Sequence, residues 1–296
     1  MEKYLVIYNP SSGKETVQQK MFQIAKEFLI DQNTSITFIS TKKQGDATEA
    51  AKSACAEDYD LIIACGGDGT INEVVNGIMA APCKTKLAIL PSGTMNDFAS
   101  HIGIPTTVSE FTYMLKQQHT KKIDVGRAND RYFINVVSGG AFTNIPHEVA
   151  HEAKSIFGKY AYYFQAAIEI PNQIFKCHPL TIRTDDDTYN VDALVFIVSN
   201  TPSIGGIKKM SPDAKYDDGL FDVVIIKKAP PLTLLEIFSG FASGDHVRHS
   251  SVQYFKTSQL TIETNEELIV DIDGEYGFTT PLTIDICRGA IELIVP

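Results

Sequence analysis

As far as Asp124, short β-branched and aliphatic runs alternate with stretches of helical periodicity. This is the pattern of strands joined by crossover helices into a parallel sheet. Tyr4–Tyr8 predicts a first strand, Met21–Ile30 its helix, Ile36–Ile39 a second strand, Thr48–Ala56 a helix and Leu61–Cys65 a buried third strand. Ile71–Met79 follows as helix, Leu87–Leu90 as a short strand ending at Pro91, and a helix is predicted to start near Asn96. Beyond Asp124 the strand-like runs Arg131–Val137, Leu194–Val198, Phe221–Ile226 and Leu260–Thr264 predict a β-rich domain. Helical insertions are expected over Pro146–Ile170 and over Pro230–Gly240, the latter with Pro at its start and Gly at its end. Whether the last strand, Ala290–Val295, rejoins the first domain is left open by the pattern.

Composition adds a domain count and excludes some partners. A chain of 296 residues, 44% hydrophobic and 21% charged, fits about two globular domains. Its 26 Lys and Arg against 36 Asp and Glu, a net charge of −10, argue against a surface that tracks nucleic acid. The five cysteines are scattered, odd in number and without a C-x-x-C pair, which fits thiols in a reducing compartment. The N-terminus has no signal-peptide pattern, and the longest apolar run, Ala193–Val198, is far too short for a bilayer span. A cytoplasmic protein is expected, with any membrane contact peripheral and transient.

Three loops at strand ends carry the candidate chemistry: Asn9-Pro-Ser-Ser-Gly-Lys14, Gly66-Gly-Asp-Gly-Thr70 and Pro91-Ser-Gly-Thr94. Gly lets backbone N–H groups approach an anion, and a following helix N-terminus offers free donors and partial positive charge. Open α/β sheets bind ligands at the carboxyl ends of their strands, so three such corners favour nucleotide binding. A simpler reading stands beside it, because Thr70 and Glu73 have capping-box spacing and Thr70 would then merely start a helix. A Walker A loop fails because Tyr8 stands where its leading Gly belongs, and a dinucleotide fingerprint fails at Asn72.

Gly66-Gly-Asp-Gly-Thr-Ile-Asn-Glu73 followed by Pro91-Ser-Gly-Thr-Met-Asn-Asp-Phe-Ala99 resembles the diacylglycerol kinase catalytic family. Asn9–Gly13, Thr41 with Gly45-Asp46-Ala47, Asp217-Asp218-Gly219 and Asp273-Gly274-Glu275 resemble it too, so the likeness spans nearly the whole chain. The resemblance implies a Rossmann-like three-layer α/β nucleotide domain, 1–124 plus about 286–296, and a β-sandwich domain, 125–285, with a cleft between them and the C-terminal strand returning to the first domain. It implies that Asn9, Pro10, Ser11, Ser12, Gly13, Thr41, Gly66, Gly67, Asp68, Gly69, Thr70, Ile71, Asn72, Glu73, Ser92, Gly93 and Thr94 form the nucleotide site, with Asp97 and Asp124 in the acidic network behind it. Asp218 and the carbonyls of Lys215 and Leu220 would hold a structural magnesium. Relatives in the family use diacylglycerol, sphingoid bases, ceramide or phosphatidylglycerol, and these motifs do not separate them.

Phosphoryl transfer requires charge neutralisation and a carboxylate to accept the proton of the attacking hydroxyl. ATP and magnesium are the expected donor and ion, and a lipid hydroxyl, most simply that of diacylglycerol, is the acceptor. Glu275 is the candidate base and Asp273 the second choice; Asp68 is the candidate magnesium ligand of the nucleotide site. Asp-Gly is also a strong type I′ hairpin signal, so this turn has a purely structural reading. The alternatives are an NAD kinase-like phosphotransferase, a non-catalytic nucleotide-binding module, and a zinc protease built on His147-Glu-Val-Ala-His151, which matches H-E-x-x-H but reads equally as a surface helix. A homodimer is left open.

Overall fold

The computed structural model describes residues 2–12, 16–29, 34–80, 82–141 and 176–296. The insertion expected at 146–170, with the H-E-x-x-H pattern, lies outside the described residues, as does Gly13. The chain divides into two compact units, Met1–Val125 with Arg131–Ile134 and Cys287–Pro296, and Gly126–Asp130 with Asn135–Ile286. Among the described residues no helix is long and apolar enough to cross a membrane.

The first unit runs β1 (Glu2–Tyr8), α1 (Thr16–Leu29), β2 (Thr34–Ser40), α2 (Asp46–Ala56), β3 (Leu61–Gly66), α3 (Asp68–Met79), β4 (Lys86–Pro91), α4 (Asp97–His101), α5 (Val108–Gln117) and β5 (Thr120–Ala128), then the short β6 (Arg131–Phe133). With the end of the last strand, β15 (Leu282–Ile294), its strands lie side by side in the order β15-β4-β3-β1-β2, all parallel. Parallel strands covered on both faces read as continuous apolar runs, and Leu61–Cys65 and Leu87–Leu90 are buried throughout. The return of the terminal strand, implied only by resemblance, is made through Leu293 beside Leu87.

Helix α5 was not among the expected elements, although Thr107 and Glu110 form a capping box: the Thr107 hydroxyl donates to the Glu110 carboxylate at 2.6 Å and accepts from its N–H at 3.4 Å. Val108, Phe111, Met114 and Leu115 then face the core. Thr70, at the same spacing from Glu73, does not cap; Gly67 precedes α3 and Thr70 lies inside its first turn. The reading of five free thiols is also corrected, since Cys55 and Cys83 form a disulfide with Cα atoms 5.1 Å apart. Packing of α2 against α3 brings the end of one helix to the loop after the other, and no short-range spacing announces it. The cysteines therefore no longer argue for a reducing compartment.

The second unit contains β7 (Val136–Gly140), β8 (His178–Arg183), β9 (Thr188–Ser199), β10 (Phe221–Lys227), α6 (Pro231–Ser239), β11 (Val252–Thr257), β12 (Gln259–Glu263), β13 (Ile269–Ile272) and β14 (Glu275–Thr279). Its strands follow the order β14-β13-β7-β9-β8-β12 to the start of β15, with β10 paired to β9 and β11, and its ladders are antiparallel. The expected strand Arg131–Val137 is two strands, β6 and β7, because the chain changes units after Ile134. Pro231 starts α6, which packs Leu234 and Ile237 on Leu194, Val224, Ile226 and Phe241.

At Gly77 of α3 a Cβ would meet the Thr48 carbonyl oxygen at 2.3 Å and the Ala51 Cβ at 2.7 Å, so α2 and α3 touch through a glycine. Gly77→Ala is expected to cost about 1–3 kcal/mol, the range for overpacking a tight contact. The urea midpoint followed by circular dichroism should fall; an unchanged midpoint would mean the helices separate freely.

Candidate active site

The three corners lie at the carboxyl ends of β1, β3 and β4, which are neighbours in the parallel sheet. In the first, the Asn9 side chain accepts from the Ser11 N–H at 2.9 Å, and the Asn9 carbonyl accepts from the Ser12 N–H at 3.1 Å. This turn is tied to the second corner by the Asn9 N–H donating to the Cys65 carbonyl at 3.1 Å. Pro10 and Ser11 are exposed. Thr41, at the end of β2, donates its N–H to the Tyr8 carbonyl at 2.9 Å, which sets it beside the same edge.

The second and third corners touch. The Ser92 N–H donates to the Gly66 carbonyl at 2.8 Å, and a Cβ on Gly93 would stand 2.5 Å from the Gly67 Cα. Gly66 is equally constrained, since its own Cβ would overlap the Thr70 side chain at 2.4 Å. Asn96, in the left-handed region at φ 50°, holds the third corner from within: its Oδ1 accepts from the Gly93 N–H at 2.9 Å and its Nδ2 donates to the Gly93 carbonyl at 2.8 Å. Thr94 is exposed beside this turn. Asp68 opens α3, where a carboxylate is favoured by the helix dipole.

The block Gly66–Glu73 divides into two parts. Its first half forms the corner, whereas Ile71 is fully buried and the Asn72 amide donates to the Tyr132 carbonyl at 3.1 Å. The Glu73 carboxylate accepts from the Gly45 N–H at 3.0 Å and the Ala47 N–H at 3.1 Å, so it caps α2 instead of its own helix. Asp124 is buried and accepts from the Gly289 N–H at 2.7 Å, fastening β15 to β5; Asp97 begins α4.

Sequence reasoning missed Lys20. Its ammonium, half-buried on α1, donates to the Pro91 carbonyl at 3.0 Å and to Ser92 Oγ at 3.3 Å. Burial lowers its pKa, and the neighbouring Cys65 thiol opposes that shift. The Cys65 thiol is itself pushed up by burial. A lysine in a helix of mixed polarity has no spacing rule that ties it to loops seventy residues away.

In the second unit, Asp273 and Gly274 both have positive φ, 51° and 86°, and join β13 to β14 as a two-residue hairpin. Asp273 Oδ1 accepts from the Asn135 N–H at 2.9 Å and the Val136 N–H at 2.8 Å, while the Asp273 N–H donates to the Val136 carbonyl at 2.9 Å. Glu275, half-buried, is the first residue of β14. The hairpin reading and the candidate base thus coexist, with the structural work falling on Asp273.

Asp218 lies in the turn before β10; its Oδ1 accepts from the Leu220 N–H at 3.1 Å and its Oδ2 stands 3.6 Å from Lys256 Nζ. The same ammonium is 2.9 Å from the buried Asp222 carboxylate, which also accepts from Tyr254. Burial pushes Asp222 above the usual carboxylate range, opposed by Tyr254 and Lys256. The carboxylate that the resemblance assigns to a structural magnesium thus already faces the ammonium of Lys256. Among the described residues no three His, Cys, Asp or Glu side chains are grouped to hold a metal.

The fold is of a two-domain class, a parallel α/β unit with glycine corners on one sheet edge and an antiparallel second unit. Residues 3–128 match the model of the diacylglycerol kinase catalytic domain, and residues 135–295 match that of the YegS C-terminal NAD kinase beta sandwich-like domain. The chain is 38% identical over 98% of its length to a diacylglycerol kinase of Staphylococcus haemolyticus, covering 87% of that protein, and 36% identical to one of Staphylococcus aureus, covering 91%. A crystal structure of a diacylglycerol kinase from Bacillus anthracis superimposes with a TM-score of 0.84 at 29% identity, over 100% of this chain and 97% of that one. The chain belongs to the diacylglycerol kinase family, the lipid-kinase class of enzymes.

Because Glu73 serves α2, Glu73→Ala should destabilise the first unit by about 1–3 kcal/mol, the cost of stranding buried N–H donors. Nucleotide affinity at saturating folded protein should change little. A large loss of ADP affinity without a lower unfolding midpoint would return Glu73 to the ligand.

Proposed function

We propose that this enzyme transfers the γ-phosphoryl group of ATP to the free hydroxyl of diacylglycerol, yielding phosphatidic acid and ADP. The observation that carries the reading is the meeting of the Gly66–Thr70 and Pro91–Thr94 corners through Gly67 and Gly93 at the carboxyl ends of neighbouring strands, the edge where open α/β sheets bind ligands. The names of the relatives supply the acceptor, and the donor follows from the kinase family.

In this reading Asn9, Ser11, Ser12, Thr41, Gly67, Asp68, Gly69, Thr70, Gly93 and Thr94 receive the nucleotide. Glu275 takes the proton of the lipid hydroxyl as its oxygen bonds to the γ-phosphorus; the bond to the β–γ bridging oxygen breaks and ADP leaves with the electron pair. Asp273 is held by two backbone N–H groups, which favours Glu275 for the proton transfer. Asp68 would hold magnesium at the nucleotide, and Asp218 with the Lys215 and Leu220 carbonyls a second ion. Magnesium supplies neutralisation of phosphate charge there. The lipid is met at a membrane surface by peripheral contact.

Labelled phosphate from magnesium–ATP should reach diacylglycerol in mixed micelles in preference to phosphatidylglycerol, ceramide, sphingosine or NAD. Label on NAD alone would overturn the lipid reading. Glu275→Gln is expected to lower turnover about 10²–10⁴-fold, the range for losing a general base, with ADP affinity retained. Turnover equal to that of the parent enzyme would remove Glu275 from the chemistry.

A further inference from the structure

The Pro91–Thr94 corner differs from the other two in what stands behind it. The helix that follows, α4, has five residues, and its N-cap Asn96 is spent on Gly93. One side of the corner leans on Gly66 and Gly67. The other is held by Lys20, whose ammonium reaches two successive residues, the Pro91 carbonyl at 3.0 Å and Ser92 Oγ at 3.3 Å. Ser92 Oγ in turn lies 3.4 Å from Cys65 Sγ, at the end of β3, so the ammonium sits where the second and third corners join.

The charge of Lys20 is the unusual part. Among the described residues its hydrogen bonds go to neutral oxygens, and the ionisable neighbour that influences it is a thiol. A half-buried cation is costly unless an anion compensates it. The glycine corners that meet at the same sheet edge, where open α/β sheets bind ligands, point to a polyphosphate as the compensating group. We propose that Lys20 is a positioning residue for the nucleotide, locking the Pro91–Thr94 corner from behind and supplying positive charge to a polyphosphate seated on the corners. This rests on the nucleotide reading of those corners.

The test uses the full chain carrying Lys20→Met or Lys20→Arg. Magnesium–ADP binding is followed by calorimetry, and ATP and diacylglycerol kinetics are measured in mixed micelles. For Lys20→Met, the Kd for ADP and the KM for ATP should both rise about tenfold, the scale of one lost charged hydrogen bond. The KM for diacylglycerol and the unfolding midpoint should stay near those of the parent. Lys20→Arg should recover most of the affinity, and Lys20→Gln, which keeps a donor without the charge, provides the same readout if the methionine variant does not fold. Unchanged ADP affinity in the variants overturns the proposal, as does a loss that only tracks a fall in stability. A parent enzyme that binds ADP yet phosphorylates no lipid would sink the proposed reaction, while calorimetry would still decide the role of Lys20.

Discussion

The contact between Gly67 and Gly93 is the constraint on which the first unit's edge depends. A Cβ on Gly93 would stand 2.5 Å from the Gly67 Cα, so the turns after β3 and β4 can meet only with no side chain between them. The Ser92 N–H bonded to the Gly66 carbonyl then continues the β3–β4 pairing one step beyond the strands. Two loops that would each be ordinary thereby become one continuous edge. The parallel sheet makes this possible, because all its carboxyl ends lie on one side.

Around that contact the polar side chains take up supporting work. Asn96 satisfies both backbone groups of Gly93, Lys20 braces Pro91 and Ser92, and Glu73 leaves its own helix to cap α2. Asn72 and Asn76 carry α3 to Tyr132. Beyond its first turn α3 is thus tied into the first unit by polar side chains. In the second unit the arrangement is similar: Asp273 is bound to the start of β7, which holds the hairpin that ends at Glu275.

Much of this was legible from residue order alone. Apolar runs marked β1, β3, β4, β9 and β10, since strands buried on both faces need no polar alternation. Glycines after β3 and β4 marked the corners, because few residues but glycine permit such close backbone approach. The spacing of the two motifs carried the family, which the full-length relatives and the Bacillus anthracis structure bear out. Legibility failed where partners are far apart in sequence. Thr107 and Thr70 have the same spacing from a glutamate, but Thr107 caps its helix whereas Gly45 and Ala47 claim the glutamate beside Thr70. Cys55 and Cys83 gave no pairing signal for the same reason.

By itself, then, the sequence determined the alternation of strands and helices, the change to β-rich texture after Asp124, and the glycine corners. Those features rest on side-chain periodicity and backbone freedom, which are local properties of the chain. Only the tertiary structure decided that Lys20 stands behind Ser92, that the Glu73 carboxylate reaches α2, and that Asp273 ties its hairpin to the start of β7. A hydrogen bond forms wherever folding brings donor and acceptor together, and nothing in the order of residues encodes that meeting until the sheets have packed.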